Sequence, residues 1–310
     1  MVPWSGMPHP TLTKTPTPTR LTAAAADDLF RAAPQRHIDV GEGQVAYRCV
    51  GEGPDVLFVH GWPVTSATYR ALLPHLVPHV RCHLIDLVGA GDSRFDRNTT
   101  ISVEQHITTV RRVVNELGLE RYAVIGHDSG GMIARHAVAG DRRLYAMGLV
   151  DTEQPRGIHW RFKQFLLMGK LPGFTKILAW AANKPGLRRN PFLLGDCFTD
   201  RSLLDGGFEE FFLAPLRDDP ERQWAAGKLV RTFDPKFVHE LAEVHARIDV
   251  PVQMVWGEKD PFFPLEWARE MATTFKDARL HVVKDAKLFV HEERPAEVAE
   301  AMLPVLLGRH

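Results

Sequence analysis

The sequence predicts an α/β fold: a mostly parallel sheet with helices on both faces and a helical insertion between two of its strands. Three observations lead there. Short apolar runs recur along the chain, each near strand length and bounded by Gly, Asp or Pro, as in the buried strands of a parallel sheet. Segments with helical spacing separate these runs. Between 155 and 247 the alternation stops, and Trp, Phe and Leu cluster at helical spacing with no convincing strand.

In chain order, residues 1–36 are rich in Thr, Pro and Ala and read as a loose N-terminal extension. "RHIDVGEGQVAYRCVGEG" then offers two strands of a hairpin, punctuated by Gly41, Gly43, Gly51 and Gly53. Six further strands are expected in "DVLFVHG", "VRCHLIDLVG", "RYAVIGHD", "LYAMGLVDT", "VQMVWGEKD" and "ARLHVVKDA". In "SVEQHITTVRRVVNELGL", Val103, Ile107, Val110, Val114 and Leu117 share one helical face. Ser102 and Gln105 form a capping-box pattern there, and Gly118 supplies the stop. "PLEWAREMATTF" places Trp267, Met271 and Phe275 four residues apart, and "RPAEVAEAMLPVLLG" repeats the device with Val298, Met302 and Val305. The core is therefore expected over 37–154 and 248–310, with a helical cap over 155–247.

The bulk composition narrows the function classes. Acidic and basic residues balance at 38 each, so no net field favours nucleic acid or an anionic membrane. Three cysteines at no metal-site spacing, and no signal-peptide core, make a cytoplasmic location the expectation. No metal or organic-cofactor motif is read, and the chain leaves a monomer or a homodimer open.

The chemistry concentrates in "YAVIGHDSGGMIARHAVAG". A buried strand runs through Gly126-His127-Asp128-Ser129-Gly130 straight into a helix, the shape of a nucleophile elbow. Centring the motif on Ser129 would put His127 where a small residue is needed. Centring it on Asp128 puts Gly126 and Gly130 there, so Asp128 is the expected nucleophile.

With these residues the chain resembles the α/β-hydrolase superfamily, in its aspartate-nucleophile branch of haloalkane dehalogenases, fluoroacetate dehalogenases and epoxide hydrolases. "HGWP", 60–63, looks like the family's oxyanion loop, which implies backbone N–H groups of Trp62 and Ser129 as anion-stabilising donors. "DLVGAGDS", 86–93, resembles the loop after the next strand. "VWGEKDPFFP" resembles the segment bearing the triad acid, implying Asp260, with Asp151 at the end of "MGLVDT" as the rival. The resemblance implies attack of Asp128 on an sp³ carbon bearing a halide or epoxide oxygen, followed by hydrolysis of the ester by water that a histidine activates.

"DAKLFVHEERP", 285–295, should carry that histidine. Aligned on Phe289, Glu292, Glu293 and Pro295, the family pattern puts Leu288 on the base position, while His291 falls one helical turn later. Either His291 serves as the base through a shifted loop, or Leu288 has replaced it. For the leaving group, Trp62, Trp160, Trp180 and Trp224 are candidate indole donors, and His159-Trp160 resembles a fluoride-binding pair. Tyrosines stop at Tyr145, so the lid tyrosine pair of epoxide hydrolases is missing. Ser129 and Met132 stand where fluoroacetate dehalogenases carry substrate-binding arginines. The expected partner is a small apolar molecule, cleaved at a carbon–halogen or epoxide bond; the alternative is a turnover-deficient homologue that binds a ligand.

Overall fold

The computed structural model describes residues 20–309. It contains one sheet of eight strands: β1 Arg36–Asp39, β2 Gln44–Val50, β3 Asp55–Val59, β4 Arg81–Asp86, β5 Tyr122–His127, β6 Leu144–Val150, β7 Val252–Gly257 and β8 Ala278–Val283. Their order across the sheet is β1-β2-β4-β3-β5-β6-β7-β8. β2 pairs antiparallel with β1 and β4, and every later pair is parallel. The eight strands coincide with the two hairpin strands and the six apolar runs. Their burial explains why: β5 is buried at all six positions and β3 at four of five, so each needs a continuous apolar stretch.

The helices used below are α1 Ala23–Arg31, α2 Val103–Glu116, α3 Ser129–Val138, α4 Trp160–Gly169, α5 Phe174–Ala182, α6 Pro220–Arg231, α7 Leu265–Ala272 and α8 Pro295–Leu306. On α2 the side chains of Val103, Ile107, Val110 and Val114 are buried. The Ser102 side chain accepts from the Gln105 N–H at 3.1 Å, but the buried Gln105 amide has no partner, so only half of the capping box forms. On α7 the buried residues are Ala268 and Met271, with Phe275 beyond the helix end; Trp267 is only half-buried, one position off the expected stripe. Val298, Met302 and Val305 of α8 are buried as their spacing suggests.

The extension differs from the expectation. Residues 1–19 lie outside the described residues, but 20–36 hold α1, capped by the Thr22 side chain and docked through Ala26 and Phe30. Arg48 of β2, 2% exposed, donates to the backbone oxygens of Leu29 and Ala32 and fixes the helix on the sheet. Between β6 and β7 the chain forms helices and turns, with one isolated bridge, Gln154 to Gly157, and no strand. Among the described residues, no helix is long and apolar enough to cross a membrane.

The register positions the chemistry. Val59 pairs with Gly126, His127 with Val150, and Val150 with Val255. The C-terminal ends of β3, β5, β6 and β7 therefore lie side by side, and the loops carrying Trp62, Asp128, Asp151 and Asp260 open from one edge. Parallel sheets carry their sites at this edge.

Candidate active site

Asp128 stands at the turn between β5 and α3 with φ 51° and ψ −138°. A non-glycine residue in this region costs about 1–3 kcal/mol and persists only when its surroundings enforce it. The enforcement is visible. A Cβ on Gly126 would come within 2.5 Å of the Gly131 Cα, and one on Gly130 within 2.3 Å of the Val59 oxygen. A Cβ on Gly61 would lie 2.5 Å from the Asp128 Cβ, so this glycine lets the 60–63 loop approach the carboxylate. His60 ties that loop to the strand-end segment after β4: its Nε2 accepts the Leu87 N–H at 2.9 Å, while Nδ1 donates to the Gly61 oxygen.

The loop's approach has a chemical result. The Trp62 N–H donates to Asp128 Oδ2 at 3.0 Å, and the Ser129 N–H opens α3 next to the carboxylate. These backbone dipoles favour negative charge on a side chain that is 9% exposed. Burial nevertheless pushes the Asp128 carboxyl well above its ordinary range, and the neighbouring charge of Glu153 pushes it further, against the pull of the two N–H groups.

Glu153 went unnoticed in the sequence. It is buried two residues after Asp151, and burial raises its carboxyl as well. Thr152 Oγ1 donates to the Asp128 backbone oxygen at 2.7 Å and lies 3.0 Å from Glu153 Oε2. The single Thr152 hydroxyl proton serves these two acceptors, and its bond to the Glu153 carboxylate pulls that carboxyl down against its burial. The buried Arg135 donates to Thr152 Oγ1 and to the Glu153 backbone oxygen; burial pulls its guanidinium down to about 9.

The two rival acids come together instead of excluding each other. Asp151 and Asp260 are both buried and act on each other's ionisation, while Oδ2 of each has no hydrogen-bond partner. Asp260 Oδ1 accepts the N–H groups of Phe262 at 2.7 Å and Phe263 at 3.1 Å, whereas Asp151 Oδ1 accepts one, from Gly257. Both carboxyls are raised, chiefly by burial, Asp260 to about 7 and Asp151 well beyond the usual range. Asp260, with more backbone donors, is the better carboxylate, and Asp151, with one, the better acid.

His291 lies elsewhere. It sits in the short helical turn Val290–Glu293, fully buried, with Nε2 2.8 Å from Thr68 Oγ1 and its ring 4.3 Å from that of His127. Thr68 gives its own proton to Glu292 Oε1, so His291 Nε2 is the donor in that pair and Nδ1 is left without a partner. No carboxylate meets either ring nitrogen, and burial holds the imidazole well below its ordinary range. The base role expected for His291 finds no support in this geometry: one turn past Leu288, the chain has entered the helix and points the ring at Thr68 and Tyr69. Leu288 itself is buried in the loop after β8, its carbonyl accepting from His127 Nε2 at 3.0 Å beside the elbow.

The candidate halide donors are also placed otherwise. The Trp62 indole N–H donates to the Ala226 oxygen at 3.1 Å. Trp160 and Trp180 are 61% and 58% exposed, and Trp224 stacks on Phe95. His159 packs edge-on against Trp267, not over the elbow. A cavity of about 50 Å³ adjoins the elbow; Trp62 and Ser129 line it from the core, and Phe212, Leu216 and Leu229 line it from the insertion.

Known proteins bear on this site. A family model described as the alpha/beta hydrolase fold matches residues 54–295. Haloalkane dehalogenase 2 of Mycobacterium tuberculosis is 28% identical over 280 residues, covering 86% of this chain and 93% of that protein. The solved epoxide hydrolase CorEH superposes with a TM-score of 0.74 at 19% identity, over 89% of this chain and 99% of that one. An alpha/beta hydrolase fold protein from Burkholderia ambifaria gives 0.73 at 22% identity, over 90% and 98%. At such identities the structural likenesses speak for the fold alone. The family match spans most of the chain, and its segment contains the elbow, the loop at 60–63 and the acidic pair: the chain belongs to the α/β-hydrolase fold family.

Proposed function

We propose that the protein attacks an sp³ carbon of a small, mostly apolar electrophile with Asp128, forming an alkyl ester, and that the ester is hydrolysed slowly because Leu288 occupies the place of the base. In the first step a carboxylate oxygen bonds to carbon, and the electron pair of the broken bond leaves with a halide or with an epoxide oxygen that then takes a proton. The observation that carries this reading is the bond from the Trp62 N–H to Asp128 Oδ2 at a turn where Asp128 has φ 51°. Fixing one oxygen and the backbone leaves the carboxylate a single direction of attack. The helical insertion, which supplies part of the apolar cavity wall, acts as the lid.

Kinetics test it. With a small bromoalkane, bromide release should show a burst close to one equivalent per chain, then a slow phase. Rapid linear release over many turnovers from the outset would contradict the missing base.

The acidic neighbour adds a pH dependence. Only ionised Asp128 attacks, so the burst rate should climb with pH through a range above that of an ordinary carboxylate. Glu153→Gln removes a neighbouring charge and should move the climb to lower pH while leaving the fold intact. A profile unchanged by that substitution would separate Glu153 from the nucleophile.

A second reading, ligand binding without covalent chemistry, is favoured by one observation: the Trp62 indole N–H, the candidate leaving-group donor nearest the elbow, is spent on Ala226. Binding of a haloalkane with no burst and no covalent adduct would select it.

A further inference from the structure

The overall charge balance conceals a strong local segregation. From 155 to 195 the chain carries eight basic residues, Arg156, Arg161, Lys163, Lys170, Lys176, Lys184, Arg188 and Arg189, and no Asp or Glu. Arg156, Arg161, Arg188 and Arg189 are paired with carboxylates from elsewhere in the chain. Lys163, Lys170, Lys176 and Lys184 are exposed and make no salt bridge among the described residues. Their charge is therefore available to a partner.

The same segment holds the large apolar side chains that face solvent. Trp160, Leu167, Leu171, Ile177, Trp180 and Phe192 are between 58% and 88% exposed, or in Leu167 57%. They form stripes. On α4 the exposed positions are Trp160, Lys163, Gln164, Leu167 and Met168, one face at helical spacing. On α5 they are Lys176, Ile177 and Trp180, followed by Lys184. α4 and α5 pack on each other and both pack on α6, so their opposite sides are buried and the stripes are left outward. Lys184 lies 5.0 Å over the Trp180 ring, which places a cation and an aromatic face at one spot.

We infer that this face of the insertion docks peripherally on an anionic lipid surface. Its makeup is that of an interfacial helix pair: aromatic and aliphatic side chains to enter the headgroup boundary, lysines to meet anionic headgroups, and no Asp or Glu within 155–195. A second copy of the chain fits less well, because a symmetric contact would set the lysines of one copy against those of the other. A spanning helix is not required. The inference is independent of the chemistry at Asp128.

The test is co-sedimentation of the full chain with vesicles, either phosphatidylcholine alone or phosphatidylcholine mixed with phosphatidylglycerol. Binding is expected to the mixed vesicles, to be weaker without phosphatidylglycerol, and to fall as salt is added. Each neutralised lysine should lower the partition about fivefold, so Lys176→Gln with Lys184→Gln should lower it by more than tenfold. Trp180→Ser with Ile177→Ser should also weaken it. All four positions are exposed, and unchanged thermal unfolding would show that the variants fold. Absence of binding to the anionic vesicles, or equal binding by the variants, overturns the inference. So does concentration-dependent dimerisation that Trp180→Ser abolishes when no vesicle binding is seen, since the face would then belong to a second copy.

Discussion

Leu288→His should raise steady-state turnover by roughly 10²–10⁴-fold, the usual worth of a positioned general base. The side chains are of similar size. The loop carrying residue 288 already runs against the end of β7: the Lys259 N–H donates to the Ala286 oxygen at 2.9 Å, and a Cβ on Gly257 would meet the Lys287 oxygen at 2.4 Å. Asp260 can orient the ring, because its Oδ2 is buried and has no hydrogen-bond partner. An imidazole N–H donating there would fix the tautomer that leaves the other nitrogen free to take a proton from water. The check is the slow phase of bromide release, with thermal unfolding to confirm the fold. If the variant folds and its slow phase matches that of the parent, Leu288 is not what limits the second step.

Asp128→Asn should eliminate covalent chemistry altogether, since a neutral amide oxygen is a poor nucleophile, while preserving shape and an acceptor for the Trp62 N–H. Its effect on stability has a defined sign. The folded Asp128 holds its proton above the ordinary carboxylate range, so the native state binds that proton more tightly than the unfolded chain does. The resulting contribution to stability is full at low pH and is lost as pH rises through the raised range. Asn carries no such proton, so the variant should gain on the parent when unfolding is measured at alkaline instead of acidic pH. A difference that is flat with pH would mean that Asp128 titrates normally.

The fold was legible because its central strands, β3 to β7, are buried on both faces and must be written as largely apolar runs. Helix α1 was not. "AAAADDLF" looks like the end of a low-complexity tract, although Thr22 caps it and Ala favours helix; what fixes it is a tertiary contact from Arg48, which no local pattern announces. The elbow was visible because Gly126 and Gly130 leave a mark in sequence that sterics demand. The carboxyl environment was not. Asp151 and Asp260 are more than a hundred residues apart and read as rivals, and only the adjacency of β6 and β7 makes them neighbours, so that Asp260 raises the Asp151 carboxyl. Glu153 carries no motif; its effect on Asp128 is an accident of where β6 ends beside β5. The tryptophans could be no more than candidate donors in the sequence, because composition counts indoles but does not say which N–H groups are already bonded or turned to solvent.

Peptide mapping by mass spectrometry, after incubation with a bromoalkane and removal of the excess, reads the ester at Asp128 itself. One alkyl group per chain is expected, on the peptide containing Asp128, persisting long enough to be isolated and missing from the Asp128→Asn protein. An adduct on another residue, or an unmodified Asp128 after the burst, would contradict it.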